Sequence, residues 1–266
     1  MRSKPVGVFD SGLGGLTAVR AIRRLMPGQD IIYLGDTARV PYGVRSPEVI
    51  TKYALANAKL LFDRGIKALV VACGTVSATA LDALKEISPV PVFGVVEPTC
   101  AAAVKATVNG RVGIIGTAAT VSSGAYERGI AALNGKVKVF SAPCPLFVPL
   151  VENGRFRRGD RVAETVTAEY LEPMRLKKID TLILGCTHYP LLHEIIFDFM
   201  GDISLIDAGQ SVAASLAELF PGEPGSGNGS ARYLVTDGVD SFSRHAEMFL
   251  QNPTKGLVER VDIEGI

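Results

Sequence analysis

The chain has almost no net charge: Lys plus Arg total 28 and Asp plus Glu 27 among 266 residues, a formal balance of +1. That removes the broad electrostatic footprint by which proteins engage nucleic acid or an anionic membrane, and a small molecule is the expected partner. No apolar run approaches the roughly 18 to 20 residues needed to span a bilayer. Met1-Arg2-Ser3-Lys4-Pro5 leads into one short apolar stretch, too brief for the core of a secretion signal, so a cytoplasmic location is expected. Cysteines number only four, at 73, 100, 144 and 186, with neither CxxC pairing nor metal-ligand spacing. A chain of this size needs no covalent staples, and all four are read as reduced thiols. The phosphate-binding pattern GxxxxGK followed by Ser or Thr is missing as well.

What is present is a hydrophobic content of 47%, enough for a substantial core, arranged as strands alternating with helices. Strands are expected at Val6 to Asp10, Ile31 to Leu34, Ile66 to Ala72 and Val92 to Val96. Helices are expected at Gly14 to Leu25, Glu48 to Arg64 and Val76 to Ile87. This alternation implies a parallel sheet covered on both faces. The pattern then begins again. Val112-Gly113-Ile114-Ile115-Gly116-Thr117 parallels the first strand, Ile179 to Cys186 parallels Ile66 to Cys73, and Ile203 to Asp207 parallels Val92 to Val96. The fold class is therefore α/β, with two similar parallel-sheet lobes related by internal duplication and an active site in the cleft between them. Residues 1–97 with 209–266 form the expected first lobe and 98–208 the second. A helix is expected at Val212 to Phe220. Pro221 to Ser230 is too rich in Gly and Pro to pack and reads as a surface loop without chemistry. A strand at Ala231 to Thr236, a helix at Ser241 to Leu250 and a strand at Val258 to Ile263 would complete the first lobe.

In parallel α/β sheets, ligands bind beyond the carboxyl ends of the strands. Asp10-Ser11, Cys73-Gly74-Thr75, Thr117 and Cys186-Thr187-His188 all stand at such ends. Cys73 and Cys186 also precede helix-like stretches, where free N–H groups and the helix dipole favour a thiolate. A single unpaired cysteine is usually buried filling, and Cys100 and Cys144 are read that way. The matched settings of the other two argue for a pair of acid/base groups on opposite sides of one cleft. Such a pair suits removal of an amino acid's α-proton from one face and its return on the other. Asp10 and His188 are the natural tuners, one near each thiol. The Gly-rich turn Asp10 to Thr17 reads as a tight turn and close-packing device. Its third glycine position holds Thr17 and Asp10 would repel phosphate, so a dinucleotide reading with Asp36 as ribose ligand is weak. Pro41-Tyr42-Gly43 lies after the second strand, near the cleft. Thr117, Thr120 and Ser122 can cap a helix and bind carboxylate together. Glu152 on sequence grounds alone is a solvated residue.

Assembled, these segments resemble the glutamate racemase family of the aspartate/glutamate racemase superfamily almost from end to end. The resemblance rests on Val8-Phe9-Asp10-Ser11-Gly12-Leu13-Gly14-Gly15-Leu16, Gly35-Asp36 with Pro41-Tyr42-Gly43, Val71-Ala72-Cys73, Gly94-Val95-Val96-Glu97-Pro98, Gly116-Thr117, Val151-Glu152, Gly185-Cys186-Thr187-His188-Tyr189-Pro190 and Thr236-Asp237. It implies that Cys73 and Cys186 are the acid/base residues, assisted by Asp10 and His188, with Glu152 near the second thiol. It further implies substrate contacts from Ser11, the Pro41-Tyr42-Gly43 segment, the Gly74 backbone, Thr75, Thr117, Thr120 and Thr187. No pyridoxal phosphate or metal is implied, and the product would be D-glutamate for peptidoglycan, made by a cytoplasmic homodimer. One departure stands out: the family motif carries Asn after the first cysteine, and this chain carries Gly74. Loss of that amide motivates two alternatives, a relative acting on aspartate or another acid, and an amino-acid-binding protein without turnover.

Overall fold

Five buried residues, Val6–Asp10, form β1, and the apolar spacing that follows makes α1 at Leu16–Leu25. The computed structural model describes residues 4–221, 229–251 and 258–263. Along them the order continues with β2 (Ile31–Gly35), α2 (Pro47–Asp63), β3 (Ala68–Val71), α3 (Gly74–Thr79), α4 (Leu81–Ile87), β4 (Val92–Gly94) and α5 (Val96–Ala106). Next come β5 (Arg111–Gly116), α6 (Ala118–Ser122), α7 (Ala125–Leu133), β6 (Lys138–Pro143), α8 (Phe147–Glu152), α9 (Arg161–Leu176) and β7 (Thr181–Leu184). A 3-10 turn at Tyr189–Leu192 leads to α10 (His193–Met200), β8 (Ser204–Asp207), α11 (Ala208–Leu219), β9 (Ala231–Val235), α12 (Val239–Leu250) and β10 (Val258–Arg260).

The strands build two sheets, ordered β10-β9-β2-β1-β3-β4 and β6-β5-β7-β8, with every pair parallel. The run β2-β1-β3-β4 of the first sheet is repeated by β6-β5-β7-β8 in the second, the topological form of the duplication seen in sequence. In each, the chain goes out to one neighbour and then reverses to the other. β1/β3 and β5/β7 are therefore switch points, where helices leave to opposite faces and open a crevice at the strand ends. Asp10 and Cys73 flank the first crevice; Thr117 and Cys186 flank the second. The tail strand β9 pairs with β2 and carries β10 at the sheet edge.

Several elements depart from the periodicity. The helix expected over 76–87 is two helices, because Ala80 (φ −122°, ψ 6°) leaves helical geometry. α3 is thereby free to reach α6 of the other unit while α4 stays against α2. The strand expected to reach Val96 stops at Gly94, since the Ser77 hydroxyl accepts from the N–H of Val95 (2.8 Å) and Val96 (3.4 Å) and starts α5 there. Between 96 and 178 the sequence pattern had marked no β6, α7, α8 or α9; β6 is an edge strand of mostly half-buried residues with no clean alternation. The Gly- and Pro-rich loop expected over 221–230 lies, from 222 to 228, outside the described residues. None of the described helices is long and apolar enough to cross a membrane.

One buried polar cluster ties the loop after β2 to the tail. Asp36, fully buried, accepts from Arg39 Nε (2.7 and 3.0 Å), from Thr236 Oγ1 (3.0 Å) and from the Tyr42 hydroxyl, and Asn57 Nδ2 donates to Tyr42 Oη at 3.1 Å. Removing the carboxylate leaves several buried donors without an acceptor, each costly. Asp36→Ala is expected to lower unfolding free energy by about 3 kcal/mol or more, read from the urea midpoint. An unchanged midpoint would show that the cluster is not a structural anchor.

Candidate active site

The strand ends bring residues from both sheets to one seam. Asp10 closes β1 with its carboxylate fully buried; Gly12 N–H donates to Oδ2 at 3.0 Å and Thr187 Oγ1, from the second sheet, to Oδ1 at 3.3 Å. Thr17 Oγ1 donates to the Thr187 carbonyl at 3.1 Å, another crossing bond. The Gly-rich turn does what its close packing requires: a Cβ on Gly15 would lie 2.5 Å from Asp10 Cβ, and one on Gly14 would lie 2.5 Å from His188 Nδ1. Asp36 is committed to the cluster described above and is not free to hold a ribose.

Cys73 precedes α3 and Cys186 follows β7; their fractional exposures are 5% and 8%. A Cβ placed on Gly74 would stand 3.9 Å from Cys186 Cα, so the two cysteine turns are in contact. The Cys73 thiol donates to Ser11 Oγ at 3.6 Å. On the other side Cys186 Sγ is 3.9 Å from His188 Nδ1, and His188 Nε2 is 3.0 Å from Glu152 Oε1, the last residue of α8. Phe249 of α12 packs edge-on against the imidazole, with ring centroids 5.3 Å apart.

These environments differ electrostatically. Burial, with the Asp10 charge adding to it, pushes the Cys73 thiol up to about 12, against the weaker help of the Val76 N–H and Ser11. The helix start was expected to favour the thiolate; desolvation outweighs it because the sulfur is removed from water in the closed seam. Asp10 is itself raised by burial, against lowering by His188, Gly12, Gly15 and Thr187. For His188 burial works downward, but the hydrogen bonds and charges of Cys186 and Glu152 win and raise it to about 10. The arrangement thus holds a neutral thiol on one side and, on the other, a cysteine beside an imidazolium.

Of the remaining candidates, Thr75, Thr117 and Thr120 meet as a triad of hydroxyls, at 2.9 Å (75–117), 3.0 Å (117–120) and 3.4 Å (75–120). Thr117 also accepts from the Thr120 N–H, so it caps α6 as well. Gly43 lies against the Thr117 side chain and accepts from the Ala119 N–H at 3.1 Å, a further link between the units. Pro41, after a cis peptide bond, begins this segment. The Tyr42 hydroxyl bonds to Asp36 and Asn57 in the buried cluster described above. Cys100 and Cys144 are buried, with Cys100 Sγ donating to the Tyr126 carbonyl at 3.6 Å and Cys144 Sγ to the Ala142 carbonyl at 3.8 Å. Glu152, read from sequence as merely solvated, is 44% exposed yet bonded to His188. A surface cavity of about 260 Å³ is lined by Gly12, Val40, Glu152 and Asp237 among others, and by neither cysteine. Sequence reasoning missed Thr17 and Phe249; Thr17 was discounted for not being glycine, and Phe249 is one apolar position in a helix like any other. Among the described residues no His/Cys/Asp/Glu group could hold a metal ion.

A profile described as Asp/Glu/hydantoin racemase matches residues 17–216. A protein of Geobacter metallireducens named glutamate racemase is 45% identical over 266 residues, covering 98% of this chain and 97% of its own. One of Aquifex aeolicus with the same name is 44% identical over 245 residues, covering 92% and 93%. The crystal structure of glutamate racemase from Francisella tularensis in complex with D-glutamate superposes with a TM-score of 0.92 at 39% identity, covering 100% of both chains.

Because His188 titrates in the folded protein at about 10 rather than the ordinary 6.5, its bonds stabilise the fold fully below about 6.5. That contribution is lost as pH rises through about 10. The unfolding midpoint is expected to fall across this window and to fall less in His188→Gln; equal slopes would contradict the assignment.

Proposed function

Since the chain belongs to the Asp/Glu/hydantoin racemase family of amino-acid racemases, we propose that it interconverts L- and D-glutamate by proton transfer between two cysteines, without pyridoxal phosphate or metal. The observation that carries this reading is the meeting of the Cys73 and Cys186 turns, one from each sheet, with a different proton partner behind each sulfur. Glutamate is favoured over aspartate because the relatives at 44–45% identity bear the name glutamate racemase.

In one direction Cys186, its proton held on His188 Nδ1, acts as the thiolate and takes the substrate's α-proton as the C–H bond breaks. The carbanion then receives a proton from the neutral Cys73 thiol on the opposite face. In the other direction Cys73 gives its proton toward Asp10 and becomes the base, while Cys186 returns a proton supplied by His188. Glu152 steadies the imidazolium. Ser11, the backbone of Tyr42 and Gly43, the Gly74 and Thr75 N–H groups and the hydroxyls of Thr117, Thr120 and Thr187 hold the two carboxylates, and the preorganised donors stabilise the developing negative charge. The units 1–97 with 209–266 and 98–208 part to admit glutamate and close on it. The wider role we assign is supply of D-glutamate for peptidoglycan, in the cytoplasm, by a homodimer.

Each inversion in deuterated water is expected to place solvent deuterium on the α-carbon. Cys73→Ser and Cys186→Ser are each expected to lower kcat by about 10² to 10⁴-fold in both directions, the range for losing a general acid or base. Racemisation that retains the original α-proton, or a serine variant with unchanged kcat, would sink the two-thiol mechanism.

A further inference from the structure

Pro190 deprives a carbonyl of its local donor. In the turn that carries the second cysteine, the Tyr189 N–H donates to the Cys186 carbonyl and the Leu191 N–H to the His188 carbonyl, each at 3.1 Å. The Thr187 carbonyl between them would take the N–H of residue 190 in the same pattern, and a proline has none. The donor that reaches it comes from the other unit: Thr17 Oγ1, in the first turn of α1, lies 3.1 Å away. Both threonines are buried. The same hydroxyl lies 2.9 Å from the Gly14 carbonyl, three residues back in its own unit. A threonine hydroxyl has one proton to give, and here it stands between two acceptors, one on each side of the seam.

We propose that Thr17 is a closure latch and a positioning residue for the turn 186–190, its hydroxyl donating to Gly14 when the units part and to Thr187 when they meet. The exchange strands no buried donor in either state, so parting the units costs little. The Thr187 carbonyl gains a protein donor only on closing. Because Thr187 lies between Cys186 and His188, closing then fixes the turn that aims both the sulfur and the imidazole. The parting and closing of the units belongs to the racemase reading above, and the latch rests on it.

The test compares wild type with Thr17→Val, which removes the hydroxyl and keeps the shape, and with Thr17→Ser, which keeps the hydroxyl. It adds Pro190→Ala, in which residue 190 regains an N–H, and the double variant with Thr17→Val. KM and kcat are measured for both glutamate enantiomers, beside alkylation of each cysteine by iodoacetamide without substrate, followed by peptide mass spectrometry. Thr17→Val is expected to raise KM about two- to tenfold, the worth of one neutral hydrogen bond, with a smaller change in kcat because bound substrate holds the units together. Cys186 is expected to be alkylated faster by a similar factor, with Cys100 unchanged, and Thr17→Ser is expected to match wild type. In the Pro190→Ala background Thr17→Val is expected to do less, since a local N–H then serves the Thr187 carbonyl. Equal effects in the two backgrounds, a serine variant as impaired as the valine one, or a valine variant with wild-type KM and labelling each overturns the proposal. Labelling needs no turnover, so a wild type that fails to racemise glutamate sinks the functional reading and leaves this arm standing. Should Thr17→Val fail to fold, a crystal structure of the wild type with D-glutamate decides, and a Thr17 hydroxyl out of reach of the Thr187 carbonyl overturns the latch.

Discussion

A buried seam between two sheets governs the chemistry of this protein. Four strand ends, those of β1, β3, β5 and β7, converge there, each beside a topological switch point where the helices diverge. The seam is held by bonds that cross it: Thr17 to the Thr187 carbonyl, Thr187 to Asp10, Ala119 to Gly43, and the hydroxyls of Thr75 and Thr117 on each other. Because these groups leave water when the units meet, every charge among them is judged by its partners and not by its solvation. Placing a titrating sulfur in such a location makes its protonation a property of closure.

That dependence makes the two halves chemically unequal despite their shared topology. Duplication supplied a cysteine after the third strand of each unit, but the neighbours diverged. The first thiol faces a carboxylate and a hydroxyl, and remains protonated; the second faces an imidazole anchored by Glu152. On the two-thiol mechanism we propose, a symmetric reaction coordinate is served by asymmetric surroundings, each matched to a proton arriving from a different kind of group.

Much of this was legible in the residues. The repeated strand pattern announced a second parallel sheet like the first, and Cys73 and Cys186 stand at matching strand ends, as their settings in the sequence suggest. What stayed hidden depended on tertiary detail. The direction of the Tyr42 hydroxyl is fixed by Asp36 and by Asn57, the latter brought in by α2, a contact no local pattern announces. The break at Ala80 has no local breaker to announce it, and β6 lacks alternation because it is an edge strand with half-buried residues. The helix-start argument for Cys73 was sound as local physics and lost to burial, a quantity that no single segment contains. Glu152 acquires its partner only when α8 folds against the turn after β7.

The link between Asp36 and Thr236 has a bearing on how the Gly43 segment is placed. Thr236 and Asp237, 200 residues after their partners, bond to Asp36, Ala38 and Thr37, and through them brace the segment that carries Gly43 to the other unit. The placement of the Gly43 segment therefore depends on residues far along the chain, reached only because β9 pairs with β2 and delivers Thr236 and Asp237 to the loop after β2.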